Sequence, residues 1–141
     1  MDKKSAYYWF AIFAISFVAF QIIQEIREDY AGENLAVKYF FGVAPNFFPA
    51  IGLPSLFVIL IPEIFGKNKK IKRICENRHI ASNITSLMGL IIWEVLQLTG
   101  NLKFDWNDIL WTILGALIFQ LIWIVSSTKF KTIDITDKAS S

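Results

Sequence analysis

Four long stretches with almost no charge constrain this chain more than any other feature of its sequence. Residues 5–24, 39–62 and 109–128 contain no Asp, Glu, Lys or Arg, and residues 80–99 contain only Glu94. A helix needs about 20 residues to cross the hydrocarbon core of a bilayer, because each residue adds about 1.5 Å. Only 18% of the 141 residues are charged. The pattern predicts an integral membrane protein.

Backbone groups inside a bilayer must satisfy their own hydrogen bonds, so the four stretches predict four helices. The ten-residue alternation of a membrane β-barrel is not seen in the sequence. We therefore expect an all-α, integral membrane four-helix bundle that forms a single transmembrane domain over residues 1–141. The predicted helices span about 6–26, 47–65, 80–99 and 108–127, and a flexible polar tail follows over 128–141.

All four prolines of the chain fall in or beside the second stretch, at Pro45, Pro49, Pro54 and Pro62. Proline removes a backbone donor and kinks a helix. We therefore expect a bent segment over 45–49 at the outer surface, with regular helix resuming near Ile51.

The positions of lysine and arginine predict the orientation, because these residues are enriched in cytoplasmic connections. Eleven of them lie in the N-terminal tail, the second connection and the C-terminal tail. An alternating path of four helices puts all eleven on one face, which places both termini in the cytoplasm. This anchoring also explains the basic loop over 67–78 without a nucleic-acid partner. The three on the opposite face are Arg27, Lys38 and Lys103.

Polar residues gather near the outward end of the last helical hairpin. Glu94 and Gln97 are three residues apart and therefore share a helix face. A carboxylate at this depth is costly in lipid, so it should face the bundle interior or a wet cavity. After a short turn, a second polar stripe recurs at helical spacing, and the hairpin should bring the two faces together. The predicted binding residues are Glu94, Gln97, Lys103, Asp105, Asp108 and Thr112.

Structural roles stay open for several of these residues. Asp105 and Asp108 suit the N-terminus of a helix, where they can cap it and interact with its dipole. Glu94 could fix helix packing through a buried hydrogen bond to Gln97, to Thr112 or to a tryptophan indole. Gly115 allows the close approach of another helix. The first helix carries further polar residues near the same level, namely Gln21, Glu25 and Glu28.

The polar residues of the hairpin resemble the signature of the VanZ-like membrane proteins. In that family, Glu-x-x-Gln is followed by an arginine, then by Asp-x-x-Asp, and then by an asparagine and a glycine. Lys103 stands at the arginine position and Thr112 at the asparagine position, and lysine lacks the planar fork of a guanidinium. The matching residues are Glu94, Gln97, Asp105, Asp108 and Gly115.

The resemblance implies a multi-pass protein of the bacterial inner (cytoplasmic) membrane. The family is named after a member that is linked to resistance to the glycopeptide antibiotic teicoplanin. It therefore supplies a cell-envelope context for the chain and no reaction mechanism.

Three classes of function stay open, and we favour the first. It is a non-enzymatic envelope protein that binds membrane lipid, a lipid-linked cell-wall intermediate or a glycopeptide at the outer leaflet. The second is an enzyme acting on a lipid or cell-wall precursor, with Glu94 as proton donor and Asp108 as base or as ligand of Mg²⁺ or Ca²⁺. No other cofactor is expected. The third is a small oligomeric transporter subunit, and the oligomeric state stays open.

Overall fold

The computed structural model describes residues 2–65, 72–97 and 105–139, with side chains for 2–65, 74–97 and 105–127. Over these ranges the chain forms five helices: α1 (Lys3–Asp29), α2 (Leu35–Phe65), α3 (Lys72–Glu76), α4 (Arg78–Gln97) and α5 (Trp106–Ala139). Helices α1, α2 and α4 and residues Trp106–Ser127 of α5 are long and apolar enough to cross a membrane. The predicted all-α bundle of four membrane helices is confirmed.

Helix α2 begins at Leu35, well before the predicted start near residue 47. Asn34 caps it, because its Oδ1 accepts hydrogen bonds from the N–H groups of Ala36 (3.0 Å) and Val37 (3.3 Å). The helix then continues through all four prolines, so the prediction that regular helix resumes only near Ile51 is wrong. Proline keeps a helical φ, and packing against α1, α4 and α5 supports α2 where backbone hydrogen bonds are missing.

Helix α5 continues to Ala139, through residues that were predicted as a flexible polar tail. The sequence over 128–139 contains neither glycine nor proline. Nothing in the local sequence therefore stops the helix once its apolar part has formed. The backbone of 128–139 is therefore helical and not irregular, and the end of the membrane-spanning part near residue 127 stays a prediction.

Helix α2 lies at the centre of the bundle, and glycines bring its neighbours close. A Cβ added to Gly52 would lie 2.9 Å from the Cβ of Ser16 on α1. A Cβ added to Gly115 would lie 2.6 Å from the backbone oxygen of Phe47 on α2. Both distances are too short for van der Waals contact, so each helix pair depends on the absence of a side chain. The predicted close approach at Gly115 is confirmed, and the partner helix is α2.

An aromatic core fixes one end of the bundle. Trp9 of α1 is buried with Phe119 of α5, and the two ring centroids lie 5.6 Å apart. Trp9 also stacks on Trp123, and Trp123 stacks on His79 at the start of α4, with centroids 4.7 Å apart. This end carries the N-termini of α1 and α4. The polar residues of the predicted site lie at the opposite end.

Large apolar side chains cover the outer surface of the bundle. Ile15 is 69% exposed on α1, and Leu121 is 61% exposed on α5. A soluble monomer rarely exposes extended apolar surface of this kind. These side chains face lipid in a multi-pass membrane protein.

Candidate ligand-binding cavity

A cavity of about 610 Å³ lies at the end of the bundle where α1 and α4 finish and α5 begins. Glu94 and Gln97 of α4 and Asp108 of α5 line it together. The hairpin therefore brings these three residues to one place, as their spacing predicts. Helices α1 and α2 supply the rest of the wall, so the four membrane helices all contribute to the cavity.

Glu94 is the most buried of these polar side chains, with 3% of its surface exposed. The side chain of Gln97 lies within hydrogen-bonding reach of its carboxyl group. Its Oε2 atom, in contrast, is buried and has no hydrogen-bond partner within the described part of the chain. An unsatisfied buried acceptor costs about 1–3 kcal/mol of stability. Packing alone therefore does not account for a carboxylate at this position.

Asp108 faces the same cavity from the first turn of α5 and is half-buried. The side-chain amide of Asn46 on α2 lies within hydrogen-bonding reach of its carboxyl group, and the positive charge of Arg27 acts on it. The charges of Glu94 and Asp108 also act on each other. The two carboxyl groups therefore interact electrostatically, Arg27 is the positive group on the wall, and the charge of Asp105 acts on both carboxyl groups from outside the cavity.

Two residues of α1 that were not predicted, Gln24 and Arg27, line the cavity. The predicted α1 residues at this level, Gln21, Glu25 and Glu28, are exposed and lie outside its wall. The buried Ile23 shows which side of α1 faces the bundle. The spacing of Gln24 and Arg27 equals that of Glu94 and Gln97, and this was the signal that could have identified them.

Asn46 is the third site residue that the sequence did not predict. Its segment was expected to be non-helical, and only a helix puts Gly42, Pro45, Asn46 and Pro49 on one wall of the cavity. Pro45 and Pro49 have no N–H group, so the carbonyl groups four residues earlier lack their usual helical donor. Within α2, these are the carbonyl groups of Phe41 and Pro45.

Asp105 and Thr112 have structural roles and do not line the cavity. Asp105 is exposed and caps α5, since its Oδ1 accepts a hydrogen bond from the N–H of Asn107 at 2.9 Å. Thr112 is buried, and its Oγ1 donates to the backbone oxygen of Asp108 at 2.7 Å. On α5 the stripe of Asp108, Thr112 and Gly115 lies on one helical face, as predicted, and of its two polar side chains Asp108 lines the cavity whereas Thr112 does not. Lys103 lies outside the described residues.

Aromatic side chains lie at the same end of the bundle. Trp93 lines the cavity and is 61% exposed, and Trp106 is 75% exposed. The indole N–H of Trp111 donates to the hydroxyl group of Tyr39 at 3.0 Å, which ties α5 to the first turns of α2. Tryptophan and tyrosine are enriched where a membrane meets water. Their positions indicate that the cavity lies near this boundary.

The polar groups of the cavity define what it can bind. Within 2–65, 72–97 and 105–139, no group of three His, Cys, Asp or Glu side chains is placed to hold a metal ion. The wall combines two carboxylates, the amides of Gln24, Asn46 and Gln97, and one guanidinium group. This set suits a polar ligand that brings more hydrogen-bond donors than acceptors. The hard divalent cation stays a prediction.

No protein-family profile, no curated protein and no solved structure matches this chain. The resemblance to the VanZ-like proteins therefore rests on the sequence motif alone.

Proposed function

We propose that this chain is a VanZ-like membrane protein of the bacterial cell envelope that binds the polar headgroup of a lipid or of a lipid-linked molecule. The observation that carries the proposal is the burial and incomplete hydrogen bonding of Glu94. Its carboxyl group is buried, lines the cavity beside Asp108 and has an unpartnered oxygen. A membrane protein keeps an ionisable group at such a position chiefly where the group serves a function.

The position of the cavity favours a ligand that comes from the membrane. Its rim residue Trp93 is exposed among lipid-facing side chains, and its deeper wall includes Phe20 and Leu90. Positive charges cluster at the opposite end of the bundle, where Lys3 and Lys4 begin α1 and Arg78 begins α4. If the positive clusters face the cytoplasm, the cavity lies in the outer leaflet. A lipid headgroup, including that of a lipid-linked cell-wall intermediate, would reach it by lateral diffusion.

The connection to glycopeptide resistance enters only through the sequence motif. A protein that binds an outer-leaflet intermediate of the cell wall could alter how a glycopeptide reaches its target. The enzyme alternative requires the same two carboxylates, since acid–base catalysis needs both groups at one ligand. Turnover of a lipid by the purified protein, lost in Asp108→Asn, would favour that alternative over binding alone.

The test measures lipid binding by the purified protein in maltoside micelles. Phosphatidylethanolamine, phosphatidylglycerol, cardiolipin and undecaprenyl phosphate are added separately and bound lipid is counted by native mass spectrometry. We expect at least one lipid to bind about tenfold more weakly to Glu94→Gln and to Asp108→Asn, as for the loss of one charged hydrogen bond. Asp105→Asn is the matched control, because it changes a carboxylate at the same end of α5 outside the cavity. Equal binding by all three variants and the unaltered protein would rule out the proposal.

A further inference from the structure

A second, apolar cavity adjoins the polar one. It has a volume of about 180 Å³ and lies between α1 and α2. Phe20 and Pro49 line both cavities, so the two lie side by side at these residues. Phe13, Phe17 and Phe20 recur at helical spacing along its α1 wall, and the rings of Phe13 and Phe17 stack with centroids 6.0 Å apart. Leu53 of α2 contributes to the opposite wall.

The combined length of the two cavities matches one membrane leaflet. From Gln24 in the polar cavity to Phe13 in the apolar one, α1 advances 11 residues, which is about 16 Å. Half of a hydrocarbon core of about 30 Å is about 15 Å. A molecule with its headgroup beside Gln24 would therefore have an acyl chain of the right length beside the phenylalanine residues.

The charges of the polar cavity select the headgroup. Glu94 and Asp108 supply two carboxylates on the wall of the polar cavity. A primary ammonium group offers three donors and a positive charge to such a set. Arg27 on the wall is a suitable partner for a phosphate, because its guanidinium group binds phosphate oxygens in a fork.

We infer that the ligand is one amphiphile: a phospholipid whose primary ammonium group binds between Glu94 and Asp108, whose phosphate binds Arg27 and whose acyl chain fills the groove between α1 and α2. This inference rests on the proposed function and names the ligand class of the same site. The α1–α2 groove thereby acts as the chain-binding part of a lipid site.

The headgroup is tested with dioleoyl phosphatidylethanolamine and its N-acetylated derivative, which has the same chains and phosphate but no ammonium charge. In maltoside micelles, we expect the N-acetylated lipid to bind at least about tenfold more weakly to the unaltered protein. The same ratio should fall towards one in Asp108→Asn. Equal affinity of the two lipids for the unaltered protein would overturn the ammonium assignment.

The groove is tested with Leu53→Trp, which fills it from a half-buried position on α2. Ile15→Trp is the matched control, because it adds the same indole to an exposed site of α1 outside the groove. We expect Leu53→Trp to weaken binding of dioleoyl phosphatidylethanolamine about tenfold, as for the loss of a few buried methylene groups. Ile15→Trp should bind as the unaltered protein does.

Water-soluble glycerophosphoethanolamine separates the possible outcomes, because it carries the headgroup without chains. If Leu53→Trp keeps its affinity for this probe, the variant is folded and its loss of lipid binding belongs to the chain. If Leu53→Trp and Ile15→Trp bind the lipid equally well, the groove assignment is wrong, whereas the proposed headgroup site stands. If neither the lipid nor the probe responds to Glu94→Gln while another of the four lipids does, the ammonium assignment fails and the proposed function stands. If none of the four lipids responds, both fail.

Discussion

Replacing Glu94 with methionine should stabilise the ligand-free protein, and this prediction separates a binding role from a packing role. Methionine has a similar length, favours helix and has no polar group to satisfy. The Glu94 Oε2 atom is buried and unpartnered within the described residues, so its removal relieves a cost of about 1–3 kcal/mol. Gln97 is only half-buried and can turn to water when its partner is lost. We expect the free energy of unfolding to rise by about 1–3 kcal/mol.

The assay is reversible unfolding in mixed maltoside and dodecyl sulfate micelles, monitored by tryptophan fluorescence without added lipid. Phe119→Leu is the reference for lost packing, because Phe119 is fully buried against Trp9. This variant should be destabilised by about 1 kcal/mol or more. If Glu94→Met is destabilised to the same degree, Glu94 holds the helices together and the reasoning that assigns it to a ligand is refuted.

Three further outcomes are expected. Gly115→Ala should lower the free energy of unfolding by about 1–3 kcal/mol, because its Cβ would meet the backbone of α2. Gly89→Ala is the control, because Gly89 has open space around it; its free energy of unfolding should be unchanged or higher by up to about 1 kcal/mol. If both variants change the free energy of unfolding equally, the packing at Gly115 is contradicted. Asp105→Ala should cost about 1 kcal/mol through loss of the cap and leave lipid affinity unchanged, and a loss of affinity would place Asp105 in the site. The predicted orientation puts Cys75 on the cytoplasmic side and Glu33, between α1 and α2, on the outer side. In intact cells, a membrane-impermeant maleimide should therefore not label Cys75 and should label Glu33→Cys in a Cys75→Ser background; the reverse pattern would show the opposite orientation.

The sequence predicted the helices and part of the site for identifiable physical reasons. The absence of charge over about 20 residues is a strong signal, because charge is expensive in lipid. The pairing of Glu94 with Asp108 was also predictable, since a short turn forces α4 and α5 to be neighbours. The prolines of α2 were misleading. Proline disfavours the interior of a helix, but contacts with three neighbouring helices stabilise α2 around this segment.

The remaining site residues depend on tertiary geometry that the sequence does not specify. Whether Gln24 or Gln21 faces the cavity is decided by the rotation of α1, and the contact of Gly52 with Ser16 helps to set that rotation. Asn46 reaches Asp108 only because α2 is helical across Pro45 and Pro49. Asp105 was assigned to the site from its spacing, although a residue just before a helix has the backbone of that helix as its nearest partner.

If Glu94 and Asp108 act together on one ligand, a double-mutant cycle on lipid affinity will detect the coupling between them. Affinities of phosphatidylethanolamine for the unaltered protein, Glu94→Gln, Asp108→Asn and the double variant give the coupling between the two carboxylates. We predict a coupling of about 1 kcal/mol or more, as expected for residues that share a partner. Effects that add within about 0.3–0.5 kcal/mol would show that the two groups act independently, which would contradict the account.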